Sequence, residues 1–321
     1  MADFHQHGRV ATLHNLRTTQ TEDLEAQLVE FSEHKKIWVI LPCLYSELEG
    51  EAMPRIRKEL AAVPYIDHIV IGLDKATETQ FESAKAFFSE LPQEHSILWN
   101  DGPRLKSIDE HLANATLAPR EIGKGRNVWY CFGYALACGR ADVVALHDCD
   151  ILTYRREMLA RLLYPVCHPN FSYQFCKGYY PRVASGTLNG RVNRLLVTPL
   201  LHALSELFGH LDYLTYLKSF RYALSGEFAM ETSILKDIRV PSDWGLEIGV
   251  LSEAYRNLNA RRICQVDIAD NYDHKHQPLS ESDANAGLSR MSRDISKALF
   301  RKLAIQGVVF QKEAIRTLKA T

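Results

Sequence analysis

Two aspartates one residue apart, Asp148-Cys149-Asp150, directly follow the apolar run 142–147. In extended chain, residues i and i+2 point the same way, so both carboxylates can face one site. Two carboxylates at a strand end suit a hard divalent cation that also holds a diphosphate. The same pair serves equally well as a polar strand exit capping the next turn. A second i, i+2 pair, His274 and His276, lies in Asp273-His274-Lys275-His276 behind the apparent strand 263–268. A histidine at a strand end can complete the coordination of a cation held by a carboxylate. Two surface histidines in a polar loop are the plainer alternative, and the spacing leaves open which histidine serves.

Three further stretches could handle anions or hydroxyls. Gly123-Lys124-Gly125 precedes a helical pattern, and a lysine at a helix N-terminus is an anion cradle, although the P-loop spacing is absent. Gly186-Thr187-Leu188-Asn189-Gly190-Arg191 also runs into a helical stretch, so Arg191 can hold a phosphate or carboxylate bidentately or be solvated. Ser225-Gly226-Glu227 and Trp244-Gly245-Leu246-Glu247 each set a glutamate beside a glycine. Glu247 lies in apolar sequence, where an unpaired carboxylate is costly, so it needs a partner such as sugar hydroxyls or a helix N-terminus. No nucleophile elbow, HExxH or GxGxxG fingerprint occurs.

The elements that must position these residues are legible in the first half. Ile37-Trp38-Val39-Ile40-Leu41 reads as a buried strand ending at Pro42, followed by a helix at 49–61. Strands at 66–71 and 96–99 flank a helix at 77–90, and a helix at 125–139 leads to a strand at 142–147. Strands alternating with helices predict an α/β fold with a mostly parallel, Rossmann-like sheet. Ligands then lie beyond the carboxyl ends of the strands, so the ends near Pro42, Asp74 and Asp148 face one crevice. Beyond residue 151 the strands, 171–178 and 262–269, stand far apart. The pattern predicts completion of the same sheet with inserted substrate-binding helices, then a helical tail at 281–321.

Composition narrows the function classes. The 321 residues are 46% hydrophobic, enough for a sizeable core, and the formal charge of −1 predicts no general attraction to nucleic acid or membrane. Basic residues near the C-terminus alternate with apolar ones at helical spacing and predict a solvated helix face. No signal-peptide pattern or membrane-length apolar run is visible, and the seven cysteines form no CxxC pair. A cytoplasmic protein with reduced thiols is expected.

Read in order, these motifs resemble the glucosyl-3-phosphoglycerate synthase family of retaining glycosyltransferases. The match runs through Leu41-Pro42-Cys43-Leu44, Gly123-Lys124-Gly125, 143–150, Gly190-Arg191-Val192, Thr198-Pro199-Leu200-Leu201, Leu224-Ser225-Gly226-Glu227, 245–249, and Asp273-His274 with Pro278-Leu279. It spans about residues 37 to 300. The resemblance implies a GT-A fold with a donor half at 37–150, an acceptor half at 151–280, an N-terminal extension at 1–36 and a helical C-terminal extension at 281–321. It implies transfer of glucose from a nucleotide-sugar donor to 3-phosphoglycerate with Mg²⁺ or Mn²⁺. Asp150 and His274, supported by Asp148, would bind the metal. Pro42, Cys43, Leu44, Asp74, Lys124, Asp148, Leu224, Trp244 and Glu247 would bind the donor, with Lys124, Glu247 and Asp150 carrying catalysis. Gly190, Arg191 and Asn193 would bind the acceptor. A homodimer is expected. The chain departs from the family pattern at Tyr45-Ser46, Leu73-Asp74-Lys75, Asn193 and Tyr272. Alternatives are a mannose donor, a glycerate-like acceptor, or a nucleotide-sugar-binding regulatory protein without turnover. A sugar nucleotidyltransferase fits less well, because no glycine-rich basic loop follows Leu41.

Overall fold

The run Ile37–Leu44 has no charged side chain and is mostly aliphatic, and a strand of that kind is stable only with both faces covered. In the computed structural model it is the second strand of an eight-stranded sheet. The structure describes residues 8–117, 119, 121–184, 187–274 and 287–320. The strands are β1 (Ala11–Leu13), β2 (Ile37–Leu44), β3 (His68–Asp74), β4 (Glu94–Trp99), β5 (Val143–Leu146), β6 (Phe175–Tyr179), β7 (Val183–Ala184), β8 (Thr187–Leu188), β9 (Phe228–Glu231) and β10 (Ile263–Asp267). β7 and β8 form a separate two-stranded ribbon. The large sheet has the order β1-β10-β6-β9-β5-β2-β3-β4. All its pairings are parallel except those of β9, which runs antiparallel to β5 and β6.

Alternate residues of β2 feed two cores. Ile37, Val39 and Leu41 pack on one side with helices Thr21–Ser32, Ala52–Ala61 and Arg156–Cys167. Trp38 and Ile40 pack on the other with helices Lys124–Cys138, Thr198–Phe208 and Leu246–Asn257. Each such fully buried aliphatic side chain contributes ~1.5–3 kcal/mol. The sheet is therefore a rigid base for whatever its edge carries.

Several expected elements shift. β2 continues through Pro42 to Leu44, because Pro42 sits where β2 pairs with Gly72 of β3 and need not end the ladder. The helix expected at 49–61 divides into Tyr45–Leu48 and Ala52–Ala61 around Gly50. β9 has no counterpart in the sequence reading: four residues are too few to show a period. Residues 1–36, read as an extension, supply β1 at the sheet edge and helix Thr21–Ser32, whose Glu22 and Glu25 pair with Arg156. The C-terminal helices Gly287–Ile305 and Lys312–Ala320 follow the expected pattern, and the first buries Ile295, Leu299 and Leu303. Its basic face is not wholly solvated. Lys297 reaches Glu121 at 2.9 Å and Lys302 reaches Glu253 at 2.5 Å, since a long lysine stem can turn its charge onto a nearby acid. All seven cysteines are free thiols. Among the described residues, no helix is long and apolar enough to cross a membrane.

Candidate active site

β2, β3, β5, β6 and β10 run in one direction, so their carboxyl ends share an edge. The reversed β9 begins at that edge, which brings Ser225-Gly226-Glu227 there as well. Asp148 and Asp150 leave β5 with Cys149 buried in the core between them, as alternation requires. Gly226 abuts Asp148 so closely that a Cβ would collide with its carboxylate, which is why a glycine stands there.

Lys124 is the first residue of helix Lys124–Cys138. Its Nζ lies 2.6 Å from Asp148 Oδ1 and 3.0 Å from Glu247 Oε1. Glu247 is nearly buried in the first turn of helix Leu246–Asn257, where the helix dipole favours a carboxylate. Burial pulls the Lys124 pKa down, but the two carboxylates override it and hold the ammonium charged above its ordinary range. Burial likewise pushes Asp148 up, and Lys124 overrides it, so its carboxyl ends below the usual value. An ammonium has three donors; two serve these carboxylates, leaving one for a ligand.

Asp150 meets His274 across the edge, with Oδ2 3.3 Å from Nδ1. A short antiparallel bridge, Ile151 to His274, holds them together. The Leu152 N–H donates to the Asp273 carbonyl at 2.9 Å, and the Asp273 N–H donates to Thr153 Oγ1 at 3.0 Å. Both side chains are about a quarter exposed (26% and 24%), open enough to receive a cation from solvent. A carboxylate oxygen beside an imidazole nitrogen fits Mn²⁺ well. Lys275, His276, Pro278 and Leu279 lie outside the described residues, as does Gly186.

Two buried charges stand behind these pairs. Lys177, on β6, is 1% exposed, and its Nζ donates to the Ser225 carbonyl. Burial pulls its pKa down to about 8, while Glu247 and Glu227 pull the other way. Glu227 is fully buried and accepts a 2.7 Å bond from the Tyr272 hydroxyl; burial, then Asp148, raises its pKa. Lys177 is absent from the sequence-derived site. Its signal was a lysine inside the apolar strand Phe175-Cys176-Lys177, where a charge must find partners.

At the end of β2, Cys43 is buried, Pro42 half-buried and Leu44 exposed, with Leu44 opposite Asp74 of β3. Asp74 is buried 3.7 Å from Arg126; burial raises its pKa and the guanidinium opposes the rise. Asp74 thus meets an internal cation. Leu224 is buried and Trp244 half-buried beside Gly245, whose N–H donates to Asp243 at 2.8 Å. Away from the Asp150–His274 edge, Gly190 adopts φ +76° and leads into a helical run at 191–208 that opens with exposed Arg191 and half-buried Asn193.

No protein-family model matches the chain. A glucosyl-3-phosphoglycerate synthase of Persephonella marina is 48% identical over 321 residues, covering 100% of this chain and 79% of that relative. Another, from Methanococcoides burtonii, is 37% identical over 302 residues, covering 93% and 73%. The chain belongs to the glucosyl-3-phosphoglycerate synthase family. It is a glycosyltransferase with the GT-A-like fold. The Mycobacterium tuberculosis glucosyl-3-phosphoglycerate synthase in complex with Mn²⁺, uridine diphosphate and glucosyl-3-phosphoglycerate superposes with TM-score 0.66 at 22% identity, covering 91% of this chain and 87% of that one. The mannosyl-3-phosphoglycerate synthase of Rubrobacter xylanophilus superposes with TM-score 0.69 at 22% identity, covering 94% and 83%. At that identity the superpositions speak for the fold. The alignment with the Persephonella relative takes in residues 1–36 as well, in keeping with β1 lying in the sheet.

Proposed function

We propose that this chain transfers glucose from a uridine-diphosphate donor to the 2-hydroxyl of 3-phosphoglycerate, with Mn²⁺ or Mg²⁺ as cofactor and the anomeric configuration retained. The observation that carries the reading is the Asp150–His274 pair standing beside the Lys124 clamp on one sheet edge. The family supports it, as do the M. tuberculosis structures, described with Mn²⁺, UDP-glucose and phosphoglyceric acid.

The charge balance agrees. The carboxyl groups of Asp148, Asp150, Glu227 and Glu247 outnumber the lysines Lys124 and Lys177 there, a lining that suits a divalent cation. Asp150 and His274 would hold the cation, with Asp148 in support. Bound there, it would supply Lewis-acid stabilisation of the departing diphosphate. Lys124 directs its remaining N–H to a phosphate oxygen and meets charge as it develops. Glu247 orients donor sugar hydroxyls, Trp244 packs near the sugar, and Pro42 to Leu44 with Asp74 and Leu224 frame the nucleotide. Gly190, Arg191 and Asn193 hold the acceptor. The bond from the anomeric carbon to the diphosphate breaks as the bond to the acceptor oxygen forms. The acceptor proton passes to the departing phosphate oxygen, so no dedicated base is needed.

The same reading takes 37–150 as the donor half and 151–280 as the acceptor half, framed by 1–36 and 281–321. It takes the working form as a cytoplasmic homodimer making a compatible-solute precursor. Light scattering at twice 36.6 kDa would support the dimer. Incubation with Mn²⁺ and a panel of UDP-, ADP- and GDP-sugars, with 3-phosphoglycerate or glycerate, tests the activity. Release of UDP only with UDP-glucose and 3-phosphoglycerate is expected; no nucleoside diphosphate from any pair would sink the reading.

A further inference from the structure

Beneath the loop at Gly190 lies an arginine, Arg182, that pairs with no acid among the described residues. Arg182 precedes the β7–β8 ribbon, and its carbonyl accepts a 2.7 Å bond from the Asn189 N–H, which fixes it beside Gly190. Its Cδ is the nearest atom to the space a Gly190 side chain would occupy, and the Tyr222 hydroxyl borders the same space. One guanidinium nitrogen donates to that hydroxyl at 3.1 Å. Its Nε is buried with no hydrogen-bond partner. The surrounding rings are Tyr180, Tyr222 and Tyr272, with Tyr180 stacked on Tyr272 at 3.6 Å.

No carboxylate among the described residues pairs with Arg182, with Arg191, or with Arg194, which spends its donors on the carbonyls of Leu188 and Asn189. A half-buried guanidinium that no acid neutralises can still offer its terminal nitrogens to an anionic ligand. The first turn of the helical run at 191–208 adds backbone N–H groups at the same place. The Tyr180–Tyr272 stack and the Tyr272–Glu227 bond then connect this pocket to the metal edge.

We propose that Arg182 is a second anion-binding residue of the acceptor subsite, gripping one anionic group of the acceptor from below while Arg191 engages from the helix start. The proposal rests on the acceptor reading above and deepens it. It makes the subsite selective for acceptors with two anionic groups, because one arginine serves each.

The test compares wild type, Arg182→Gln and Arg182→Lys by calorimetry with UDP and Mn²⁺ present. Arg182→Gln is expected to raise the Kd for 3-phosphoglycerate at least tenfold with the UDP Kd and Tm unchanged, and Arg182→Lys to recover part of the loss. Glycerol 3-phosphate, which lacks the carboxylate, then identifies the group held. A penalty that persists assigns the phosphate to Arg182, and one that vanishes assigns the carboxylate. An unchanged Kd for 3-phosphoglycerate, or equal losses for UDP and 3-phosphoglycerate, would overturn the proposal. If wild type itself binds UDP but not 3-phosphoglycerate, the acceptor reading falls first and this inference with it.

Discussion

The two sides of the site handle charge in opposite ways. At the proposed metal edge the two buried lysines meet acids or a carbonyl: Lys124 lies between Asp148 and Glu247, and Lys177 holds the Ser225 carbonyl close to Glu227 and Glu247. Around Gly190, the arginines Arg182, Arg191 and Arg194 have no acid partner among the described residues. The first arrangement is preorganised: its side chains are locked by one another before any ligand arrives, which is what stabilising a departing diphosphate demands. The second, on the acceptor reading proposed above, would gain its missing charge from the ligand. A pocket of that kind would select for anionic ligands, because a neutral one would leave the guanidinium groups unpaired.

The largest effect should come from removing Asp150, the proposed metal ligand. Asp150→Ala is expected to lose far more activity than the ~10–100-fold typical of an outer-shell partner, while the protein stays folded. Metal-dependent turnover is the measurement, and unchanged activity would show that the edge does not bind metal. Next comes Lys124→Met. It removes one preorganised donor, for which a kcat loss of ~10²–10³ is expected. It also leaves two carboxylates facing each other, at a cost of about 3–5 kcal/mol in stability. Adding Glu247→Gln should restore part of the Tm and none of the turnover; recovery of turnover would mean that Lys124 serves only to hold the fold.

Breaking the other side should look different. Arg191→Ala is expected to raise the acceptor KM about tenfold or more, the loss of one charged hydrogen bond, with the donor KM unmoved. Equal increases in both would erase the distinction between the two regions. The smallest effect at neutral pH concerns His147, fully buried next to Asp148, whose pKa burial pulls down to about 4. The unfolded chain takes up this proton near pH 6.5 and the folded chain only near 4. The contribution is therefore intact above pH 6.5 and declines as pH falls toward 4, by ~3 kcal/mol in all. Denaturant titrations across that window should give a shallower slope for His147→Asn; parallel curves would show that His147 does not set the acid limit.

The amino-acid order by itself determined the elements with a strong local period. The apolar runs of β2 and β5, the turn at Gly123 and the alternation across Asp148-Cys149-Asp150 were legible because backbone geometry repeats within a few residues. Tertiary structure decided the partnerships. Lys124 and Glu247 are 123 positions apart and Asp150 and His274 are 124 apart, and no local pattern encodes which will meet. Four-residue β9, inserted antiparallel between β5 and β6, turns Glu227 toward the metal edge instead of away from it. Arg182 left no mark in the sequence at all. Its proposed role depends on having no acid partner among the described residues, and that is a property of the folded neighbourhood, since burial and counter-charge are set by contacts that form only when distant segments pack.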